Sequence, residues 1–296
     1  MLNLSVITPS YNQEEFIERT IQSVLEQSIA PIEYFIFDAL STDNTISILK
    51  KYENSLTWFS EKDNGQAHAV NKGLKKVQGD IIGWINSDDI YYPDTFHHVI
   101  QFFTKNPNID IVYGNANHID ANNLVIEAYN TEPWDNERLK EVCFLSQPAV
   151  FFRRSVIKQY GYLNETLHYC MDYEYWLRLG IKGAKFAYLP QILAGSRLYQ
   201  ETKTLGQRVA VHAEINTMLH NRLGKTPDIW LSHYAHVVID SKNIHRENKK
   251  LFLLALITLT LYAAIRWNKS ISISLQKMLK SWGYTYCSLL IKKGKL

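Results

Sequence analysis

Asn86-Ser-Asp88-Asp89 sets two neighbouring carboxylates directly after an apolar run, Ile81-Ile-Gly-Trp-Ile85. Adjacent carboxylates suit a hard divalent cation such as Mg²⁺ or Mn²⁺, which takes carboxylate oxygens and leaves positions open for phosphate oxygens. The same tetrapeptide is also ordinary turn chemistry between a strand and a helix. A further carboxylate, Asp38, closes the run Tyr34-Phe-Ile-Phe37. Asp172 stands just ahead of a helix-like stretch over 173–179, where an aspartate commonly caps. No Cys/His or Ser/His pair suited to a covalent nucleophile is evident. The three cysteines, Cys143, Cys170 and Cys287, form no CxxC pair, which excludes a thiolate zinc site and a disulfide scaffold.

The elements that would position these groups alternate through the first 115 residues. Leu4-Ser-Val-Ile-Thr8 reads as a strand stopped by Pro9. Phe16, Ile17, Ile21, Val24 and Leu25 fall near helical spacing within 14–27. Strands are expected at 34–37, 57–59, 81–85 and 109–113. Helices are expected from 41 to about 52, over 66–77, and from Pro93 to Phe103. This alternation implies a Rossmann-like, doubly wound and mainly parallel α/β sheet. Ligands bind such sheets beyond the carboxyl ends of the strands, and Asp38, Asp88 and Asp89 all fall there. Residues 115–200 are less regular, with helical pieces near 138–142 and 172–179 and a strand near 186–189.

Of 296 residues, 46% are hydrophobic and 21% charged, which excludes a disordered or fibrous chain. The net charge of +3 hides an asymmetry. Residues 1–241 balance at −7, whereas residues 242–296 carry eleven Lys and Arg against Glu247, a balance of +10. The 15-residue apolar run 251–265 is short of the roughly 20 residues of a spanning helix. Leu275, Met278, Leu279, Trp282, Tyr286 and Leu289 then recur at three and four, with Lys277 and Lys280 off the stripe. This predicts a basic amphipathic helix resting on an anionic membrane surface, with self-packing and a true span as the other readings. Nucleic acid is not an expected partner, because the basic charges flank apolar stripes. The first 25 residues include Glu14, Glu15 and Glu18 and have no signal-peptide pattern, so the expected location is cytoplasmic, at the inner face of the cell membrane. The expected division is 1–225 for the α/β domain and 226–296 for a helical basic tail.

Six words of sequence occur in order: Thr8-Pro-Ser-Tyr-Asn12, Asp38-Ala-Leu-Ser-Thr-Asp43, Lys62-Asp-Asn-Gly-Gln66, Asn71-Lys-Gly73, the segment from Gly79 to Asp89, and Met171-Asp-Tyr-Glu-Tyr-Trp-Leu-Arg178. Over about residues 3–215 they closely resemble the family 2 glycosyltransferases of the bacterial polysaccharide type, inverting enzymes of the GT-A fold. The resemblance implies that Thr8, Pro9, Tyr11 and Asn12 line a nucleotide pocket, with Tyr11 flanking the base and Asp38 accepting a hydrogen bond from it. Asn71 and Lys72 would lie beside the diphosphate. Asn86 and Asp88 occupy the first and last positions of the DxD motif. Asp88 would be the Mn²⁺ or Mg²⁺ ligand, with Asp89 a second candidate. Asp172 falls where the family has its catalytic base, and Gln147 to Arg153 would form a wall of the acceptor cleft.

The sequence departs from the family at Asn86 (usually Asp), His68 (often an acid) and Tyr199 (often His). Arg197 and Lys203 are further candidates for phosphate contact. Inverting sugar transfer requires a base for the acceptor hydroxyl and stabilisation of the departing diphosphate, and this complement of residues meets both needs. The expected activity is metal-dependent transfer of a sugar from a nucleotide sugar, UDP-linked, to a glycan or lipid-linked glycan. Transfer to a polyprenyl phosphate, or a nucleotide-sugar-binding protein without catalysis, are the alternatives.

Overall fold

A fully buried strand β1 (Leu4–Ser10) lies between β2 (Glu33–Asp38) and β4 (Ile81–Trp84), parallel to both, with β3 (Thr57–Ser60) beyond β2. This is seen in a computed structural model that describes residues 2–199 and 206–291. The remaining strands are β5 (Ile90–Tyr91), β6 (Ile111–Ile119), β7 (Val125–Ala128), β8 (Val150–Arg153) and β9 (Phe186–Arg197). They complete one mixed sheet in the order β3-β2-β1-β4-β8-β6-β9-β5, with β7 on the side of β6. Six of the nine strands run the same way, and β5, β7 and β8 oppose them. The segment expected to line an acceptor cleft is instead largely interior. Residues 147–152 are buried, and β8 sits between β4 and β6.

β1 does not stop at Pro9, as expected, but continues to Ser10. β4 pairs with residues 4–7 alone, so past Ile7 that side of β1 has no partner strand and the missing proline N–H interrupts no ladder there. Helices α1 (Ile17–Leu25), α2 (Thr45–Lys51), α3 (Gln66–Leu74) and α4 (Thr95–Lys105) follow β1, β2, β3 and β5. Ile17, Ile21 and Val24 of α1 share one core with Val6, Ile36, Phe96 and Phe151. Helix α3 lies so close to β1 that a Cβ on Gly73 would stand 2.5 Å from Ile7 Cγ2, which leaves room for glycine alone. Two further helices, α5 (Ser155–Tyr160) and α6 (Met171–Ile181), lead into β9.

The chain forms two compact units, Met1–Gln200 and Glu201–Leu296. The division falls earlier than the expected 225 because α7 (Arg208–Leu223) belongs with the helices that follow it. Those are α8 (Asp228–Ser241), α9 (Lys249–Ala263) and α10 (Ile273–Ile291). Val209 and Ala213 of α7 pack on Leu231 and Tyr234 of α8, and Trp267 Nε1 donates to Thr217 Oγ1 at 3.0 Å. A wider turn over Ala264–Asn268 prolongs α9, so the helical segment Lys249–Asn268 reaches 20 residues. By length and composition it meets the requirement for a span that the shorter apolar run missed, as an apolar core helix also would. The stripe on α10 is turned inward. Leu275 is buried beside Tyr234 and Trp267, Met278 and Leu279 pack on the same cluster, and Trp282 packs on Ala235, Ile239 and Leu256. Self-packing, rather than a membrane, therefore accounts for these four stripe residues.

Candidate active site

The predicted residues fall into three groups. The first lies where β1 and β2 end side by side, with Ser10 opposite Asp38. Asp38 is 1% exposed. Its Oδ2 accepts from the Ser41 backbone N–H (3.0 Å) and from Ser60 Oγ (2.7 Å), and its Oδ1 accepts from Ser41 Oγ. A carboxylate has about four acceptor sites, and three of those on Asp38 are filled at this edge. Asn12 is left-handed (φ 51°); its N–H donates to Ser41 Oγ (2.8 Å) and its Oδ1 accepts from the Thr42 N–H (2.9 Å). Asn12 and Asp38 thus hold the Ser41–Thr42 turn from both sides. Tyr11, 58% exposed, is the accessible aromatic at this edge. Thr8 is fully buried and shares a hydrogen bond with Tyr34 Oη at 3.2 Å, so its side chain serves the core.

The second group is the turn after β4. Thr20 Oγ1 of α1 donates to the carbonyls of Ser87 (3.0 Å) and Asp89 (2.7 Å) and fixes the turn from below. Asn86 Oδ1 accepts from Gln66 Nε2 (2.7 Å) and Trp84 Nε1 (3.2 Å), and its Nδ2 donates to Asp89 Oδ2 (3.3 Å). Asp89 is 4% exposed, and its Oδ1 accepts from the Arg197 N–H at 2.8 Å. Burial pushes the Asp89 carboxyl well above the usual carboxylate range, and the charge of Asp88 adds to this. Asp88 is the half-buried member, with Tyr199 Oη donating to its Oδ2 at 3.1 Å. Burial, followed by the charge of Asp88, raises the Tyr199 phenol. Both Asp89 oxygens are engaged, Oδ1 with β9 and Oδ2 with Asn86, so of the two carboxylates expected at a metal Asp88 is the more open.

Arg197 is also inward. It is buried, its Nε donates to the Asp88 carbonyl (2.6 Å), Nη2 to Asn123 Oδ1 (2.5 Å) and Nη1 to the Asp120 carbonyl. Its guanidinium is a clamp rather than the expected phosphate contact. Lys203 lies outside the described residues.

The third group surrounds α6. Asp172 is half-buried in its first turn, near Tyr129 and Cys143, whose groups its charge helps to raise after burial does most. Tyr129 Oη donates to the carbonyls of Cys143 (3.0 Å) and Leu145 (3.3 Å). Glu174, two residues on, is fully buried and paired to Arg178 Nε at 2.9 Å. Arg178 in turn donates to the carbonyls of Tyr160 and Tyr162, both at 2.6 Å. Tyr173 and Tyr175 are buried, with hydroxyls on the carbonyls of Leu139 (2.6 Å) and Gly161 (3.1 Å).

Helix α3 connects the second and third groups. Gln66 in its first turn reaches Asn86, and Gly65 just ahead lies against His168, four residues before Asp172. Asn71 departs from its expected place by the diphosphate. Its Nδ2 donates to the Leu163 carbonyl (3.0 Å) and Glu165 Oε1 (2.8 Å), and its Oδ1 accepts from the Leu163 N–H (3.0 Å). It therefore anchors the loop that precedes α6. Lys72 pairs with Glu61 at 3.0 Å and reaches the Lys62 carbonyl at 3.2 Å. His68 accepts the Asn64 N–H at 3.1 Å and shapes the start of α3.

Among the described residues no cluster of three or more His, Cys, Asp or Glu could hold a metal by itself. The turn offers a cation one carboxylate, Asp88, with phosphate and water oxygens left to supply the rest. A hard divalent cation that retains several waters accepts such a set.

The sequence profile described as Glycosyl transferase family 2 matches residues 5–161, more than half of the chain. The chain is 29% identical over 206 residues to a chondroitin synthase of Escherichia coli, covering 68% of this chain and 30% of that protein. It is 28% identical over 230 residues to a hyaluronan synthase of Pasteurella multocida, covering 75% and 24%. An uncharacterized glycosyltransferase of Rickettsia typhi is 28% identical over 215 residues, covering 68% and 65%. The chain thus spans just under two thirds of that relative and under a third of either synthase.

Among solved structures it is similar to Staphylococcus aureus TarS 1–349 in complex with UDP-GlcNAc, with TM-score 0.62, 18% identity, and 96% and 88% of the two chains covered. It is also similar to a mannosyltransferase of Pyrobaculum calidifontis in complex with GDP-Man and Mn²⁺, with TM-score 0.60, 17% identity, and 96% and 80% covered. These likenesses establish the GT-A fold. With the motif words carried on the strand ends and helix starts described above, the chain belongs to glycosyl transferase family 2.

Proposed function

We propose that the protein transfers a sugar, with inversion, from a UDP-linked donor to a hydroxyl of a glycan or lipid-linked glycan, aided by Mn²⁺ or Mg²⁺. The observation that carries this reading is the division of the carboxylates. Asp89 and Glu174 are buried and engaged inside the protein, while Asp88 and Asp172 stand half-buried on separate elements. Inverting transfer needs one carboxylate toward the diphosphate and one toward the acceptor.

In this reading Tyr11 flanks the base and Asp38, through the Ser41 turn that it holds, shapes the edge against which the base lies. Asp88 would hold the cation, which would supply neutralisation of the charge on the departing diphosphate. Tyr199 orients the Asp88 carboxylate, and Arg197 fixes its backbone. Asp172 takes the proton of the acceptor hydroxyl as the oxygen attacks the anomeric carbon and the bond to the diphosphate breaks. The UDP-GlcNAc-bound neighbour and the chondroitin and hyaluronan synthase relatives support a UDP-sugar and a glycan acceptor. The test is release of UDP from a panel of UDP-sugars with oligosaccharide acceptors. Turnover is expected with Mn²⁺ or Mg²⁺ and none in excess chelator; full turnover in chelator contradicts the reading.

A further inference from the structure

The helical segment Lys249–Asn268 has apolar residues on every side, yet one side alone is packed. Leu256, Ala263, Ala264 and Trp267 are buried in clusters shared with Leu231, Tyr234, Ala235 and Ile239 of α8. On the opposite side Leu251, Leu254, Tyr262 and Ile265 are each 47–52% exposed, with exposed Thr258 among them. Positions 251, 254, 258, 262 and 265 follow the spacing of one helix face, and at 1.5 Å per residue the bare stripe is about 21 Å long. A helix that is apolar all round is normally enclosed by protein or lipid.

Charge says which. Lys249 and Lys250 precede the stripe, Arg266 and Lys269 follow it, and Lys277 and Lys280 are exposed on α10. Among the described residues none of these six forms an ion pair with Asp or Glu. The acids of α8 are engaged: Asp228 accepts from Ser272 and Ser274, and Asp240 pairs with Arg208 at 3.3 Å. A second copy of the chain fits poorly. The stripe is basic at both ends, so parallel or antiparallel pairing of two such helices sets like charges together. A bilayer with anionic head groups matches both features, since leucines enter the acyl boundary while Lys and Arg reach the phosphates.

We infer that the outer face of this segment is a docking surface for an anionic lipid bilayer, on which the helix lies flat while its inner face stays packed on α8. The inference does not rest on the sugar-transfer reading, because binding is measured without donor or acceptor.

The full-length protein is to be sedimented with vesicles of phosphatidylcholine, and of phosphatidylcholine mixed with phosphatidylglycerol. Partition should be at least about tenfold stronger onto the mixed vesicles and should weaken as salt is raised. The double substitution Leu254→Glu, Ile265→Glu alters exposed positions, so circular dichroism and the melting temperature should hold while partition falls about tenfold or more. No partition of the natural protein, equal binding to both vesicle types, or full binding by the double variant would overturn the inference. So would a dimer that dissociates in the double variant, which assigns the face to a second copy. Retention on vesicles after an alkaline wash would assign the segment to a span and also overturn it.

Discussion

Asn86 stands where the fuller motif of the family has an aspartate, and its amide answers three neighbours. It accepts from Gln66 and Trp84 and donates to Asp89. An aspartate there keeps the two acceptances, loses the donation, and places another carboxylate beside Asp88 and Asp89. Asn86→Asp should therefore lower stability by about 1–3 kcal/mol, the size of an unmet buried polar contact, read by denaturant unfolding. An unchanged midpoint would show that the amide contact to Asp89 contributes nothing. The identity of Asn86 was plain in the sequence, as were Asp38 and Asp88 as strand-end carboxylates. Its partners were not. Gln66 lies on helix α3, and Arg197 enters the turn from β9, 108 positions after Asp89. Long-range side-chain clamps of this kind leave no periodic trace, so the engagement of Asn71, Asp89 and Arg197 could not be read in advance.

Helix α6 carries two carboxylates with opposite circumstances. Glu174 is fully buried and tied to Arg178, which holds the loop carbonyls of Tyr160 and Tyr162. Removing one member of a buried ion pair costs about 3–5 kcal/mol, so Arg178→Met should destabilise the first unit by that order in thermal or denaturant melts. Asp172→Asn should instead melt normally and lower turnover by about 10² to 10⁴, as loss of a general base does. Normal turnover in Asp172→Asn would remove it from the chemistry. In the sequence the resemblance to the family singled out Asp172, whereas the engagement of Glu174 with Arg178 inside the protein was not visible there. The alternation of apolar runs likewise made β1 to β4 and α1 to α4 legible, since each has its own periodicity. The insertion of antiparallel β8 between β4 and β6 was not, because strand order depends on pairings that no local pattern encodes.

Acid acts on the helical unit through three half-buried histidines. In the helical unit His212 and His233 lie at 6.3 Å between ring centroids, both against Trp230, with His236 one turn further along α8. Burial lowers all three, His212 to about 4, and neighbouring positive charge adds to this: His233 and Arg208 on His212, His236 on His233, and Arg246 on His236, where Asp240 opposes it. Their folded pKa values lie below the ordinary 6.5, so the unfolded state binds more protons as pH falls from about 7 toward 4. Stability present above the unfolded pKa is lost through that window. Melting of this unit should shift to lower temperature across it, and His212→Gln should flatten the decline; an equal decline in the variant would place the proton uptake elsewhere.

The account of the molecule's activity stands on Asp88 serving the donor and Asp172 serving the acceptor, both in the first unit. Calorimetric titration of UDP with and without Mn²⁺, into the natural protein, Asp88→Ala and Asp172→Asn, tests that division most directly. The expected result is Mn²⁺-dependent UDP affinity in the natural protein, lost in Asp88→Ala and retained in Asp172→Asn. Retained Mn²⁺-dependent affinity in Asp88→Ala, or an equal loss in both variants, would contradict it.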